Sequence, residues 1–378
     1  MVAQATRPSG PQGRRGLSFW GRRCHGSAVI CLEWRMTLDA TPPRRSRRSS
    51  GAVTLHDVAK LAGVAPITAS RALNRPEQVS ADVLKKVGDA VARTGYVPNL
   101  LAGGLASTRS RLVAAVVPTI AGPVFLETVQ SLTEALAERG YQLMLGQSGY
   151  AGSREDALLE AIIGRRPDGI VLTGIMHSAE GRRRLLASGI PVVETWDLTP
   201  TPIDMLVGFS HVEVGRAVAA FLLAKGRRRF AVVAGDDERA TRRLGAFEAA
   251  AVALGLPEVR RVVVPAPATL RSGRGALSEL LAGGEAIEAV FCSSDLLALG
   301  VMTEALARGV EVPSQLAVVG FGDLNFAADL HPALTTVHIN GAGIGRQAAQ
   351  FIVDRAEGRG VAQRVIDIGF SIIDRQSA

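Results

Sequence analysis

Eight short apolar runs limit what most of this chain can fold into: LVAAVV (112–117), QLMLG (142–146), GIVLTG (169–174), PVVET (191–195), FAVVAG (230–235), RVVVP (261–265), EAVFC (288–292) and LAVVG (316–320). Each is too short for a typical helix and is dominated by Val, Ile, Leu and Ala. Amphipathic stretches separate most of them. Continuous apolar runs of this kind are strands buried on both faces, as in parallel sheets covered by helices. About ten strands over roughly 270 residues exceed the usual sheet of five or six. Residues 111–378 are therefore expected to form two doubly wound α/β subdomains. Ligands in such sheets bind beyond the C-terminal strand ends, so the expected pocket is the cleft between the two.

Upstream, the pattern is helical. In TLHDVAKLAGVAPITASRALN (54–74), Leu55, Val58, Ala59 and Ala62 give a short first helix one apolar face. Gly63 permits a sharp turn, and Pro66 opens a second helix at the position where its missing N–H is harmless. Thr68, Ser70, Arg71 and Asn74 give that helix a polar side. Such a helix-turn-helix places its second helix in the DNA major groove. A third helix is expected from an Ser80 cap to Gly95, with Val83, Val87, Ala90 and Val91 closing a three-helix core over 53–98. Residues 99–110 then read as a hinge helix and linker. Its Gly103 and Gly104 each cost about 1 kcal/mol relative to alanine, so it needs external support.

Charge follows the same division. The net charge is +8, yet residues 1–110 carry +11 and the remainder −3. That asymmetry suggests a nucleic-acid-facing end. However, residues 1–50 hold 10 Arg against Glu33 and Asp39, while 51–110 contribute only +3, so the motif rather than the total carries the DNA argument. Residues 1–52 read as disordered. One reading is a basic arm that adds DNA affinity; the favoured one is an upstream extension of the reading frame, with Met36 as the start. The 3 cysteines, Cys24, Cys31 and Cys292, make neither a disulfide framework nor a zinc spacing, and Cys292 reads as a buried strand-end residue. No apolar run reaches the ~18 residues of a membrane span, and no signal-peptide core is seen. No metal and no cofactor are expected, and the location is expected to be cytoplasmic.

With TLHDVAKLAGV, the SRALN ending, GYVPNLLAGGLAS and LTTV (334–337) in that order, the chain from about Val53 onward resembles the lac-repressor/galactose-repressor family of bacterial transcription regulators. The resemblance implies a helix-turn-helix headpiece, a hinge helix and a core of periplasmic-binding-protein type, acting as a homodimer on double-stranded, pseudo-palindromic operator DNA at the nucleoid. It also implies DNA contacts. Pro66, Ile67 and Arg71 would reach base edges, Arg71 as a fork for guanine. Thr54, Leu55, Thr68, Ser70 and Asn74 would complete the headpiece contacts, Thr68 and Ser70 at phosphate. Asn99, Ala102 and Leu105 would act from the hinge helix, Leu105 as a minor-groove wedge. Ala65 departs from the family's usual serine and removes a helix cap.

Segments 117–129, 140–150 and 193–211 are similar to the gluconate-responsive branch, which implies a sugar-acid effector such as gluconate. The resemblance aligns Arg243 with a ligand-clamping arginine. Phe125, Asp197, Ser294, Gly322 and Asp323 match further pocket positions. Phe125 reads equally as a core aromatic. Ala246 stands where the family has glycine, which unsettles the local backbone approach. Gly322 stands where many sugar-binding members have Asp, a change that favours an anionic ligand. Effector is expected to release the operator; a different sugar, a purine, or a ligand that strengthens DNA binding are the alternatives. An enzyme is disfavoured. GAGIGR (341–346) lacks the third glycine of a dinucleotide fingerprint, GQSGY (146–150) is no nucleophile elbow, and the 6 histidines do not cluster. A solute-binding protein would lack residues 53–107. SIIDRQSA offers no heptads for a tetramer, so a dimer is expected.

Overall fold

The structure, a computed structural model, describes residues 53–97, 109–149, 152–176, 178–284 and 286–378. The chain divides after Tyr96 into two compact units. The expected extension 1–52, and the hinge segment as far as Thr108, lie outside the described residues.

The first unit holds α1 (Leu55–Ala62), α2 (Pro66–Asn74) and α3 (Ala81–Thr94), with a 3-10 turn at Pro76–Gln78 that the sequence pattern had not marked. Thr54 caps α1 in a reciprocal box with Asp57, and Gly63 ends it at φ 67°. Asp57 is held below the usual carboxylate range by its hydrogen bonds to Thr54. α2 starts at Pro66 behind Ala65, which makes no side-chain cap bond. Ser80 caps α3 and Gly95 ends it. The core of this unit is small side chains: Val58, Ala59, Ala69, Ala72, Val87 and Ala90, with Leu55, Val83 and Val91 half-buried around them.

The second unit has two lobes. The first contains β1 (Leu112–Val117), α4 (Leu126–Ala137), β2 (Gln142–Gln147), α5 (Gly152–Ile163), β3 (Gly169–Thr173), α6 (Ala179–Ser188), β4 (Val192–Thr195) and β5 (Met205–Gly208). The chain then enters the second lobe with α7 (His211–Ala224), β6 (Phe230–Gly235), α8 (Glu238–Ala253), β7 (Arg260–Val264), α9 (Leu270–Ala282), β8 (Ala289–Cys292), α10 (Asp295–Ala307), β9 (Ala317–Phe321) and β10 (Thr335–His338). It returns for α11 (Gly341–Ala356) and β11 (Val365–Asp367), then crosses once more to β12 (Ser371–Ile373). Two six-stranded sheets result, ordered β11-β5-β4-β3-β1-β2 and β12-β10-β9-β8-β6-β7. The three crossings give the lobes a shared hinge side, where one apolar core runs from Val113 and Phe209 through Phe230 and Phe321 to Ile352.

All eight apolar runs are strands. Four further strands escaped the pattern. β10 is TTVH, whose threonines are buried yet polar, and β11 and β12 are only 3 residues each. β5 is a four-residue stretch between turn residues. One pairing departs from the parallel pattern: β12 runs antiparallel to β10. A strand arriving straight from the other lobe has no crossover helix to enforce parallel entry. The glycines of GAGIGR serve packing. They open α11, and a Cβ on Gly345 would stand 2.1 Å from Ser131 Oγ of α4. Cys292 is fully buried, and burial pushes its thiol pKa up.

Candidate DNA-reading face and effector cleft

On the first unit, Pro66, Ile67, Arg71 and Asn74 are exposed and follow the helical repeat along one side of α2. Ile67 is 63% exposed, which leaves its whole aliphatic end free for apolar contact. Asn74 Nδ2 donates to Ser70 O at 3.0 Å, so these two side chains are partly ordered by their own helix. Thr68 is half-buried and Thr54 is exposed at the α1 cap. Leu55 is half-buried against the core, so its contact with any partner would be at its edge. Ala69 and Ala72 point the opposite side of α2 into the core, and this fixes which face remains free. Asn99, Ala102 and Leu105 lie outside the described residues.

In the second unit a chamber of about 80 Å3 opens between the lobes. Phe125, Trp196, His211, Arg239, Arg243, Ser294 and Phe321 are among its lining residues. Arg243 sits on α8, which packs closely against α7. A Cβ at Gly215 of α7 would stand 2.3 Å from Arg243 O and 3.0 Å from Ala246 Cβ. The close helix approach that Ala246 put in question is thus supplied by glycine on the opposing helix.

The surroundings of Arg243 are unusual for a cation. It is 5% exposed, and its guanidinium lies 3.9 Å from the centroid of the Phe321 ring. Nη2 donates to Ser293 O at 3.0 Å, and Nη1 lies 2.9 Å from His211 Nδ1. Nε is buried without a partner. Among the described residues no carboxylate comes within ion-pair distance. Burial pulls its pKa down to about 10, with Asp237 and Asp197 opposing and Arg239 adding to the fall. The group stays charged at neutral pH. A buried charge lacking a counter-ion is costly, and the ring face offsets only part of that cost.

His211 fixes the arrangement. Its Nε2 lies 2.9 Å from Trp196 O, which can only accept. The imidazole is therefore the neutral Nε2–H tautomer, and Nδ1 accepts from Arg243. Burial, then the Arg243 charge, hold its pKa well below 6.5. Trp196 has φ 66°, a conformation a bulky side chain rarely adopts. Its ring meets Phe125 edge-on at 5.1 Å and its Nε1 donates to Thr128 Oγ1 at 3.0 Å. Phe125 is thus both a cleft wall and a buried aromatic, and its two readings coincide.

Ser294 lines the chamber but its hydroxyl also caps α10 through Leu297 N. The adjacent Asp295 is fully buried, accepts from Thr336 Oγ1 at 2.6 Å and Leu324 N at 2.7 Å, and is pushed up to about 6 by burial. It pins the turn that carries Phe321 and Leu324 into the chamber. Asp197 lines a second, outer chamber of about 540 Å3 and accepts from Arg242 Nη1 at 2.7 Å across the cleft. Burial raises its pKa despite that partner. Asp323 takes no place in either chamber; it is held by Arg375 at 2.7 Å and His338 at 3.0 Å. Gly322 allows the turn there at φ 124° without lining the chamber. The expected turn Phe321-Gly322-Asp323 thus reaches the chamber through its first residue. Phe321 and Leu324 face the ligand space, and Gly322 and Asp323 shape the turn between them. The sequence reading missed Trp196, His211 and Arg239. No spacing links these three, and only the folded hinge joins them. The available hint was a tryptophan directly before Asp197.

Known proteins share this architecture. The pattern described as "Bacterial regulatory proteins, lacI family" matches residues 54–99, and that described as "Periplasmic binding protein-like domain" matches residues 219–378. The HTH-type transcriptional regulator GntR of Pseudomonas aeruginosa is 36% identical over 342 residues, covering 90% of this chain and 100% of the relative. The regulator of the same name from Escherichia coli (strain K12) is 30% identical over 319 residues, covering 84% of this chain and 96% of the relative. Among solved structures, a LacI-family regulator from Silicibacter pomeroyi superposes with a TM-score of 0.82 at 31% identity, covering 86% of this chain and 99% of that one. The transcription regulator GntR from Chromobacterium violaceum gives 0.68 at 35% identity, covering 70% and 98%. A reading helix with one free face, a two-lobed cleft and relatives of this extent lead to one conclusion: the chain belongs to the lacI family and is a DNA-binding transcriptional regulator, not an enzyme.

Proposed function

We propose that the protein represses transcription in the cytoplasm by binding a pseudo-palindromic operator as a homodimer, and that a sugar acid such as gluconate releases it. The observation that carries the effector reading is the buried Arg243 guanidinium with no carboxylate partner. A planar carboxylate matches its fork, and an anion supplies the charge that the site lacks. Hydroxyls of the sugar chain then meet Ser294 and other polar groups of the inner chamber, while Asp197 acts from outside it through its cross-cleft pair with Arg242. At the DNA, Arg71 reads a guanine, Pro66 and Ile67 make apolar base contacts, and Thr54, Leu55, Thr68, Ser70 and Asn74 position the headpiece. Asn99, Ala102 and the Leu105 wedge act from the hinge helix. A second copy packs on the apolar surface where Leu299, Met302, Leu306, Val310 and Leu330 surround a groove, Leu306 being 81% exposed.

Effector and operator are then linked through the relative position of the lobes, because each ligand favours a different arrangement. The test is an operator titration by fluorescence anisotropy with gluconate, glucose or a purine in the buffer. Loss of affinity with gluconate alone supports the reading. Release by glucose or the purine instead refutes the acid preference, and tighter operator binding with gluconate reverses the proposed sign.

A further inference from the structure

Arg239 lines the inner chamber, and the structure builds a seat for it. It stands on the first turn of α8 in the second lobe and reaches across to the first. Its Nη1 donates to Thr173 O, at the end of β3, at 3.0 Å. The next residue, Gly174, has φ 114°, and a Cβ there would stand 2.9 Å from that same nitrogen. The guanidinium therefore occupies space left by a missing side chain. On its other side it lies over the Phe125 ring, 5.2 Å from the centroid. A carbonyl, a glycine notch and a ring face thus hold one side chain across the cleft.

Its position is what gives the seat meaning. Among the described residues, Arg239 and Asp237 are the two that line both the inner chamber of about 80 Å3 and the outer one of about 540 Å3. Asp237 is committed to the helix, since its Oδ1 accepts from Ala240 N at 3.0 Å. Arg239 is the removable part of the boundary. The inner chamber is much the smaller of the two. The outer chamber carries Glu155, Asp197, Asp236 and Glu238.

We infer that the Arg239 guanidinium is a specificity-determining partition that confines the effector to a single sugar unit, by closing the passage between the inner and outer chambers. This rests on the sugar-acid reading of Arg243. An acid anchored on Arg243 fits the inner chamber when it is one sugar long. A sugar ring attached to it must pass through the space that the Arg239 side chain fills. With the side chain truncated, the two chambers join and a glycosylated acid is admitted.

The experiment is calorimetric titration of the full-length protein with gluconate and with lactobionate, which is gluconate carrying a galactose. The wild type is expected to bind gluconate, and lactobionate roughly tenfold or more weakly. Arg239→Ala is expected to shift the ratio of the two affinities toward lactobionate by about tenfold or more. Arg239→Met keeps most of the bulk without the charge and is expected to go on excluding lactobionate. Thermal melting reports whether each variant is folded. A wild type that takes both ligands equally, a folded Arg239→Ala with an unchanged ratio, or an Arg239→Met that opens the site as fully as alanine overturns the partition. A wild type that binds no hexonate at all overturns the reading beneath it, and that result is distinct from the other three.

Discussion

The headpiece and the effector cleft are built on opposite plans. In the headpiece, the residues assigned to DNA lie within 21 consecutive positions and are mostly exposed, while the core is six small side chains. In the cleft, Phe125, Trp196, His211, Arg243 and Phe321 come from places nearly two hundred residues apart, and all five are buried. One surface is specified by helical periodicity alone. The other exists only because two sheets and three chain crossings bring distant segments together. A change on the first should stay local, whereas a change in the second should spread to the lobe arrangement.

The sharpest way to break that contrast is Arg243→Ala. Two hydrogen bonds to a charged group at roughly 1.5–3 kcal/mol each predict a loss of effector affinity of about 100-fold or more. Operator affinity in the absence of effector should hold, as read by anisotropy. If both affinities fall together, the two sites are not separable in the way described. Next in size is the mirror experiment, Arg71→Ala. A lost base fork of about 1–3 kcal/mol predicts a tenfold to hundredfold weaker operator complex, with less discrimination at one base pair and unaltered effector binding. An equal loss on operator and random DNA would demote Arg71 to a phosphate contact.

Smaller effects sharpen the comparison. Asp197→Asn removes the charge from the cross-cleft pair with Arg242, whose side chain is 32% exposed. Discounted for that exposure, the pair is worth about 1 kcal/mol, so effector affinity should drop several-fold if the closed cleft is the binding form. Calorimetry that shows no change would mean that the pair does not bias the lobes. Smallest is Ala65→Ser, which restores a cap to α2. The headpiece should melt later by an amount equivalent to about 1 kcal/mol, with no effect on the effector unit. A shift in the melting of the effector unit instead would contradict the independence of the two regions.

Legibility in the sequence followed the same division. The cap Ser80, the stops Gly63 and Gly95, the missing cap at Ala65 and all eight apolar strands were readable, because each depends on neighbours within about one turn or one pleat. Arg243 was legible only through family resemblance. It follows Arg239 and Arg242, both only partly buried, so no local pattern singles it out. Strand β10 was missed because its threonines are satisfied by tertiary partners, Thr336 by the buried Asp295 and Thr335 by Arg375 N and Ser377 Oγ.

What the sequence determined by itself is the catalogue of parts: a reading helix with one free face, and strands and helices in an alternation that permits two parallel sheets. Hydrophobic period and capping are local properties, so they survive without knowledge of the fold. Only the tertiary structure decided that Gly215 rather than residue 246 gives α8 its close approach, that the His211 tautomer is set by Trp196, and that Leu324 joins Phe321 in facing the cleft while Gly322 and Asp323 shape the turn. Those outcomes turn on desolvation and on which atoms lie within 3 Å across a hinge, quantities that no window of neighbouring residues contains.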